Sequence, residues 1–362
     1  MFLMLMLYGY FLAVVFVAVI ALDARGIVNK RETFKSSERY EPRVLVILPA
    51  KGTDLDQRGN FLSLAKQDYE NYDIVAVVDT PEDEATETAA VAGIKVEVAK
   101  GRCKKCSGKN KAIAYALNKF KNYDVYVIAD SDIRAGKAWL RKLIKPLADP
   151  EIGTSTTFPA FVPVGYGFWS YTKMLWGLVG QSLMSSNRTR FGWGGSLAFK
   201  KDLVDKRLMR LLEESKYAVS DDICITKRTK EKGFKIAYVK EAAPIVYTRE
   251  TMHSFMEWAN RQSALTLLGY RGNLYMGVAY YSSELLLFAS GIVMAVLVSP
   301  LYAVLLLHFA ISEYRAFSRA PKMNASIFVI AAFMPALYLY NLVKASRMKR
   351  IEWRGRSYAM QH

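Results

Sequence analysis

Apolar and polar positions divide the chain into segments of different kinds. Residues 2–22, FLMLMLYGYFLAVVFVAVIAL, carry no charge. As a helix they are long enough to cross a hydrocarbon core of ~30 Å. The run predicts a membrane anchor rather than a cleaved signal peptide. It lacks a basic start, and Asp23-Ala24-Arg25 follows it where a small-residue cleavage site is needed. A second apolar zone fills the C-terminal quarter: 277–298 and 300–312, parted at Ser299-Pro300, and then 324–343. Stretches so poor in charge predict membrane helices rather than a buried soluble core.

Residues 43–245 follow another rhythm. Short runs rich in Val, Ile and Leu stand at 43–50 (RVLVILPA), 72–80 (YDIVAVVDT), 94–99 (IKVEVA) and 124–130 (DVYVIAD), with helical spacing at 58–68 and 109–120. Strands alternating with helices predict an α/β unit with a mostly parallel sheet. Ligands of such sheets bind beyond the carboxyl ends of the strands. Pro49-Ala50-Lys51 ends the first strand, Asp79 the second and Asp130 the fourth, so all should reach one rim. PAKGTDLD stands where a dinucleotide-binding domain needs Gly-x-Gly-x-x-Gly, which excludes that domain.

Charge sharpens the picture at the membrane. The chain has 50 Lys and Arg against 33 Asp and Glu, a net charge of +17. Basic residues cluster after the first apolar run (Arg25, Lys30, Arg31, Lys35) and after the last (Lys344, Arg347, Lys349, Arg350, Arg354, Arg356). By the positive-inside rule both flanks belong in the cytoplasm. An anchor followed by three full crossings would leave the tail outside. Either one C-terminal stretch is re-entrant or interfacial, or 277–312 is not a complete hairpin. The charge excess suits anionic lipid headgroups. No basic-aromatic module points to nucleic acid. The three cysteines, Cys103, Cys106 and Cys224, are too few for a disulfide framework and fit a reducing compartment. Cys103 and Cys106 suit a variable loop with two thiols, a redox pair or half of a zinc site.

The candidate chemistry is acidic. Asp130 and Asp132 flank Ser131 at a strand end, where unpaired carboxylates repel at a steep cost. A solvated turn would relieve that cost. So would Mg²⁺ or Mn²⁺, held by one or two carboxylates and substrate phosphates. Ser220-Asp221-Asp222 precedes an amphipathic helix. One acid would suffice as a cap, and the second could serve as general base. Glycines in RFGWGGSLAFKK (190–201) mark a turn or a close approach of backbone. In SFMEWANRQSALT (254–266), Phe255, Trp258, Arg261 and Gln262 share a helix face, suited to a membrane surface, and Arg261 could clamp a diphosphate. Lys104, Lys105, Lys109 and Lys111 could attract an anionic nucleotide sugar. The aromatic stretch 161–180 reads as an interfacial ramp for a lipid acceptor, with a core helix as the alternative.

Together these motifs resemble the membrane-bound inverting glycosyltransferases of family 2, most closely the ceramide glucosyltransferase type. The resemblance runs through ILPAKG, Asp79 in VVDTPEDEA, GKNKAIAYAL (108–117), IADSDIR, GWGGSLAFKKDLVD (192–205), Ser220-Asp221-Asp222 and IEWRGRSY (351–358). It implies a GT-A type, Rossmann-like sheet between N-terminal and C-terminal transmembrane helices. The division would be an anchor at 1–22, a cytoplasmic glycosyltransferase domain at 40–250 and an interfacial helix at 251–275. Transmembrane helices at 276–345 and a basic tail at 346–362 would follow. The donor, a UDP-sugar, would meet Pro49, Ala50, Lys51, Asp79, Lys109, Lys111, Asp130, Ser131 and Asp132. Asp130 and Asp132 would hold Mg²⁺ or Mn²⁺, and Asp222, beside Asp221, would deprotonate the acceptor. Arg261 would steady the departing diphosphate. Trp193, Gly194, Gly195 and Trp258 would line the acceptor side.

The implied reaction moves a hexose such as glucose to a lipid hydroxyl at the cytoplasmic face of a multi-pass membrane protein. A polyprenyl-phosphate sugar synthase and a non-catalytic membrane scaffold are the alternatives. The family's Gln/Arg-x-x-Arg-Trp appears as Trp258-Ala-Asn-Arg261-Gln262, keeping the Arg but neither flank. That departure argues against a processive polysaccharide synthase.

Overall fold

The computed structural model describes residues 2–27, 40–101, 103, 105–187 and 189–360. Lys30, Arg31, Lys35 and Lys104 lie outside the described residues, as does the side chain of Arg25. The chain forms two units. One gathers Met1–Lys30, Pro163–Ser182 and Arg249–Lys349, and the other Arg31–Val162, Leu183–Thr248 and Arg350–His362.

The elements begin with α1 (Phe2–Ile27), β1 (Val44–Pro49), α2 (Gln57–Ala65), β2 (Tyr72–Val78), α3 (Glu84–Val91), β3 (Lys95–Val98), α4 (Gly108–Lys119) and β4 (Val125–Ala129). Next come β5 (Ile133–Arg134), α5 (Trp139–Ile144), β6 (Ile152–Thr156), β7 (Ala160–Pro163), α6 (Phe168–Met184), β8 (Ser196–Lys200), α7 (Lys206–Glu213) and α8 (Asp221–Glu231). The chain continues through β9 (Lys235–Tyr238), β10 (Ile245–Thr248), α9 (Met252–Gly269), α10 (Gly272–Leu297), α11 (Leu307–Arg319) and α12 (Ser326–Ser346). It ends in β11 (Arg350–Trp353) and β12 (Arg356–Ala359).

The sheet unit is built on the order β3-β2-β1-β4-β8-β6-β9. Its pairs are parallel except where β8 runs antiparallel to β4 and β6. Strand order reverses at β1, which has β2 on one side and β4 on the other, and such a switch opens a ligand crevice at the carboxyl ends. Register makes this concrete. Pro49 pairs with Val77 and Ile47 with Ile128, so Lys51, Asp79 and Asp130 leave the sheet at one rim. Leu45, Ile47, Val75, Val77 and Ile128 form a core with Ile113 and Leu117 of α4. Each such side chain contributes ~1.5–3 kcal/mol when fully buried. That packing fixes the start of α4 against the rim, with Ser107 capping the helix through Asn110 N.

Two parts of this unit exceed what periodicity predicts. A small sheet, β5-β10-β7, uses a strand of two residues, too short to register as a pattern. The basic tail is not a loose strand of charges: β11 and β12 pair antiparallel through an Arg354-Gly355 turn with both residues at positive φ.

In the helical unit, α1, α10 and α12 are the described helices long and apolar enough to cross a membrane. The stretch 300–312 is not another such helix. It splits into a 3₁₀ segment, Pro300–Leu306, and the start of α11. Leu12 and Val19 of α1 pack with Leu287 and Leu305. Asp23 is fully buried, accepts from Tyr280 Oη at 2.6 Å and pairs with Arg315. Such polar contacts hold apolar helices in one arrangement. The aromatic stretch forms α6, whose Trp169 stacks on Phe255 and whose Trp176 meets Trp258 edge-on, with centroids 5.6 and 4.9 Å apart. Tyr171, Met174 and Leu175 of α6 are buried, so much of its apolar face is taken up by packing.

Candidate active site

At the rim of the sheet the acidic residues converge on one lysine. Lys109, in the first turn of α4, places Nζ 2.7 Å from Asp130 Oδ1 and 3.1 Å from Asp221 Oδ2. Asp130 follows β4, and its N–H donates to the Gly195 carbonyl at 3.2 Å, which sets the turn after β4 against the loop before β8. Asp221 and Asp222 open α8, capped by Ser220 through Ile223 N. Ser220 alone therefore does the capping, and the two carboxylates are available to the rim.

The glycine loop is shaped around those carboxylates. Gly194 N donates to Asp222 Oδ1, and a Cβ on Gly194 would lie 1.9 Å from Asp221 Oδ2. A Cβ on Gly195 would meet the Trp193 ring at 2.1 Å. Thr156 Oγ1 accepts from Trp193 N at 2.9 Å and Thr226 Oγ1 from Gly192 N at 2.7 Å, which pins the loop to β6 and again to α8. Gly194→Ala should therefore push Asp221 and Asp222 aside. A displacement of about 1 Å costs on the order of 100-fold in rate. A drop of that size in kcat, accompanied by a lower unfolding midpoint from overpacking that costs about 1–3 kcal/mol, is the expected result.

Electrostatics separate the members of the cluster. Burial alone would lower the Lys109 ammonium, but Asp130, Asp221 and Asp222 outweigh it and raise its pKa. Burial pushes the Asp221 carboxyl up, with Lys109 opposing and Asp130 adding to the rise. Burial and then the charge of Asp221 push the Asp222 carboxyl well above the usual range. Geometry separates the pair: Asp221 is held by the lysine, while Asp222 accepts from Gly194 N.

Asp79 forms the other wing of the rim. Arg356 Nη2 lies 2.9 Å from its Oδ2, with Lys51 Nζ at 3.9 Å and Lys111 Nζ 4.0 Å from Oδ1. Ser131 Oγ donates to Asp54 Oδ2, and Arg354 pairs with Asp54 Oδ1. The sheet unit thus brings together Pro49, Ala50, Lys51, Asp79, Lys109, Lys111, Asp130, Ser131, Asp132, Trp193, Gly194, Gly195, Asp221 and Asp222. Arg261 and Trp258 lie on α9 of the helical unit, where Trp258 faces Trp176 and Lys173. Cys103 and Cys106, for which thiols, a redox pair or a zinc half-site were open, are joined by a disulfide. Cys224 is a buried free thiol. Sequence patterns miss Asp54, Arg354, Arg356 and Thr156 as members of this rim; IEWRGRSY marks only that the tail matters.

A sequence model described as glycosyl transferase family 21 matches residues 8–362. The chain belongs to glycosyl transferase family 21. The resemblance to family 2 thus holds at the broader level of GT-A-type glycosyltransferases, and the family itself is 21. No curated protein matches this family 21 enzyme. Among solved structures, the mannosyltransferase PcManGT from Pyrobaculum calidifontis, in complex with GDP-Man and Mn²⁺, is similar at 17% identity with a TM-score of 0.50. That likeness covers 92% of this chain and 97% of the other. Glucosyl-3-phosphoglycerate synthase from Mycobacterium tuberculosis, with Mn²⁺ and UDP-Glc, has 16% identity and a TM-score of 0.44, over 69% and 82% of the two chains. The PcManGT likeness concerns the fold alone: a mostly parallel α/β sheet of GT-A type, as the strand periodicity predicts.

Proposed function

We propose that this family 21 glycosyltransferase moves a hexose, with glucose the first candidate, from a UDP-sugar to a membrane lipid hydroxyl, inverting the anomeric centre. The observation that carries the reading is the junction of Lys109 with Asp130 and Asp221 beside Asp222, at the switch point of the sheet. Asp79 and the lysines around it suit a nucleotide at the adjoining strand end. Asp222 takes the acceptor's hydroxyl proton, and the alkoxide forming there attacks the anomeric carbon as the nucleotide diphosphate departs. Gly194 N holds the Asp222 carboxylate in place for that transfer. Arg261, on the helical unit, is the residue to which the resemblance gives the departing diphosphate.

The chemistry of the donor set fits a divalent cation. Among the described residues no group of three or more His, Cys, Asp or Glu is arranged to hold a metal ion, so those residues supply no complete cage. Asp130 and Asp132 would hold the ion with donor phosphates completing its shell, the habit of Mg²⁺ and of Mn²⁺ in oxygen sites. Such an ion supplies charge stabilisation to the leaving diphosphate. The Mn²⁺ in the PcManGT complex supports the same assignment. Removal of divalent ions with a chelator should abolish transfer, and Mg²⁺ or Mn²⁺ should restore it. Full turnover after exhaustive chelation would overturn the requirement.

The membrane arrangement follows from parity. With α10 and α12 as the two crossings between the sheet unit and the tail, both lie on one side of the bilayer. Arg356 on Asp79 supports that parity, since the tail meets the rim. The basic flanks support the cytoplasm as that side. The decisive experiment incubates membranes holding the protein with labelled nucleotide sugars and analyses the lipids by mass. One hexose added to a hydroxyl lipid is the expected product. A sugar on polyprenyl phosphate, or no transfer from any donor, would overturn the reading.

A further inference from the structure

The tail hairpin occupies the most informative place in the sheet unit. Arg354 and Gly355 form its turn, at φ 50° and 73°. Three contacts seat it on the rim besides the Arg354–Asp54 pair. Lys51 Nζ donates to the Arg354 carbonyl at 3.1 Å, Arg356 meets Asp79 at 2.9 Å, and Gly108 N donates to Tyr358 Oη at 3.4 Å. Residues from the ends of β1 and β2 and from the start of α4 are thus all held by one short hairpin from the far end of the chain. Solvated ion pairs of this kind add little stability, about 0–1 kcal/mol each. Their worth lies in where they hold the guanidinium groups.

Arg354 is the better placed of the two arginines for an anion. Asp54 links it through Ser131 Oγ to the turn that carries Asp130 and Asp132. Burial opposes its charge, but Asp54, Asp132 and Asp130 all act to keep it protonated. Lys109, the other cation beside Asp130, is engaged by Asp130 and Asp221. A guanidinium presents a planar fork that matches two phosphate oxygens, which an ammonium cannot do.

We propose that Arg354, presented by the C-terminal hairpin, binds the diphosphate of the nucleotide donor, so that the basic tail is a working part of the donor site. This rests on the nucleotide-sugar reading given above. Arg356 and Tyr358 position the hairpin, through Asp79 and Gly108. On donor arrival Arg354 exchanges Asp54 for phosphate oxygens beside Asp130 and Asp132, while the Lys51 contact to its carbonyl keeps the turn in place.

The test uses the full-length protein in nanodiscs with Mn²⁺ and compares UDP and GDP with UMP and GMP. Arg354→Gln should weaken the preferred diphosphate by about 10–100-fold and leave the matching monophosphate unchanged. Arg354→Lys keeps the charge without the fork and should give an intermediate loss for the diphosphate alone. It also serves if the glutamine variant does not fold. Equal weakening of diphosphate and monophosphate would reduce the hairpin to a structural strap and overturn the proposal. Unchanged diphosphate binding in either variant would overturn it too, yet leave the proposed function standing. Failure of the wild-type protein to bind any nucleotide would overturn both.

Discussion

Asp222→Asn should abolish transfer while leaving donor binding intact. The substitution removes the base but keeps an oxygen that can accept from Gly194 N, so the loop before β8 need not move. General-base catalysis contributes about 100- to 10,000-fold, and the loss should fall in that range. Burial and the neighbouring Asp221 charge raise the Asp222 carboxyl, making it a stronger base than an exposed aspartate. The reading predicts a collapse of kcat with an unchanged Kd for the nucleoside diphosphate. Near-normal kcat would remove Asp222 from the role of base. Activity retained only toward polyprenyl phosphate, whose anionic acceptor needs no base, would move the enzyme to that reaction class.

Lys109→Met should cost more stability than any other single change at the rim. The side chain keeps its apolar stem and loses the charge that faces Asp130 and Asp221. Removing one partner of a buried ion pair costs about 3–5 kcal/mol, and the low end applies because Asp130 is partly open to water. The pH dependence identifies the cause. Asp221 and Asp222 have raised pKa values in the folded protein, so they bind protons more readily there than in the unfolded chain. Stability from such groups is present in acid and lost as pH rises through their folded values. Without Lys109 that loss deepens, so the fall in unfolding midpoint should be large at neutral pH and shrink on acidification. Thermal unfolding across pH checks this. A deficit that does not change with pH would mean that packing, not charge, is what Lys109 supplies.

Much of the architecture is legible in the residues because it depends on local periodicity. Runs such as Val44–Pro49 and Val125–Ala129 are apolar throughout and short, which only a strand covered on both faces requires. The uncharged run at 2–22 and the runs of α10 and α12, each with a single charged residue, announce helices long and apolar enough to span a bilayer. The strand-end carboxylates are legible for the same reason: the strands stop where Asp79 and Asp130 begin. The stretch 300–312 is one of those the counting of crossings left open, because apolar composition alone does not reveal the Pro300–Leu306 3₁₀ turns that precede α11.

Sequence by itself determined the α/β class, the three helices long and apolar enough to cross a membrane, and the acidic residues at the rim. Each follows from the chemistry of neighbouring positions along the chain. Tertiary structure decided which charges meet. Lys109 reads as one of four lysines that could attract an anionic nucleotide sugar until α4 packs on β1 and carries it between Asp130 and Asp221. The tail reads as a membrane-facing basic cluster until the hairpin sets Arg354 on Asp54 and Arg356 on Asp79. The tail pairings join residues 300 and 277 positions apart. No local pattern encodes them, because they form only when the core has fixed where each segment ends.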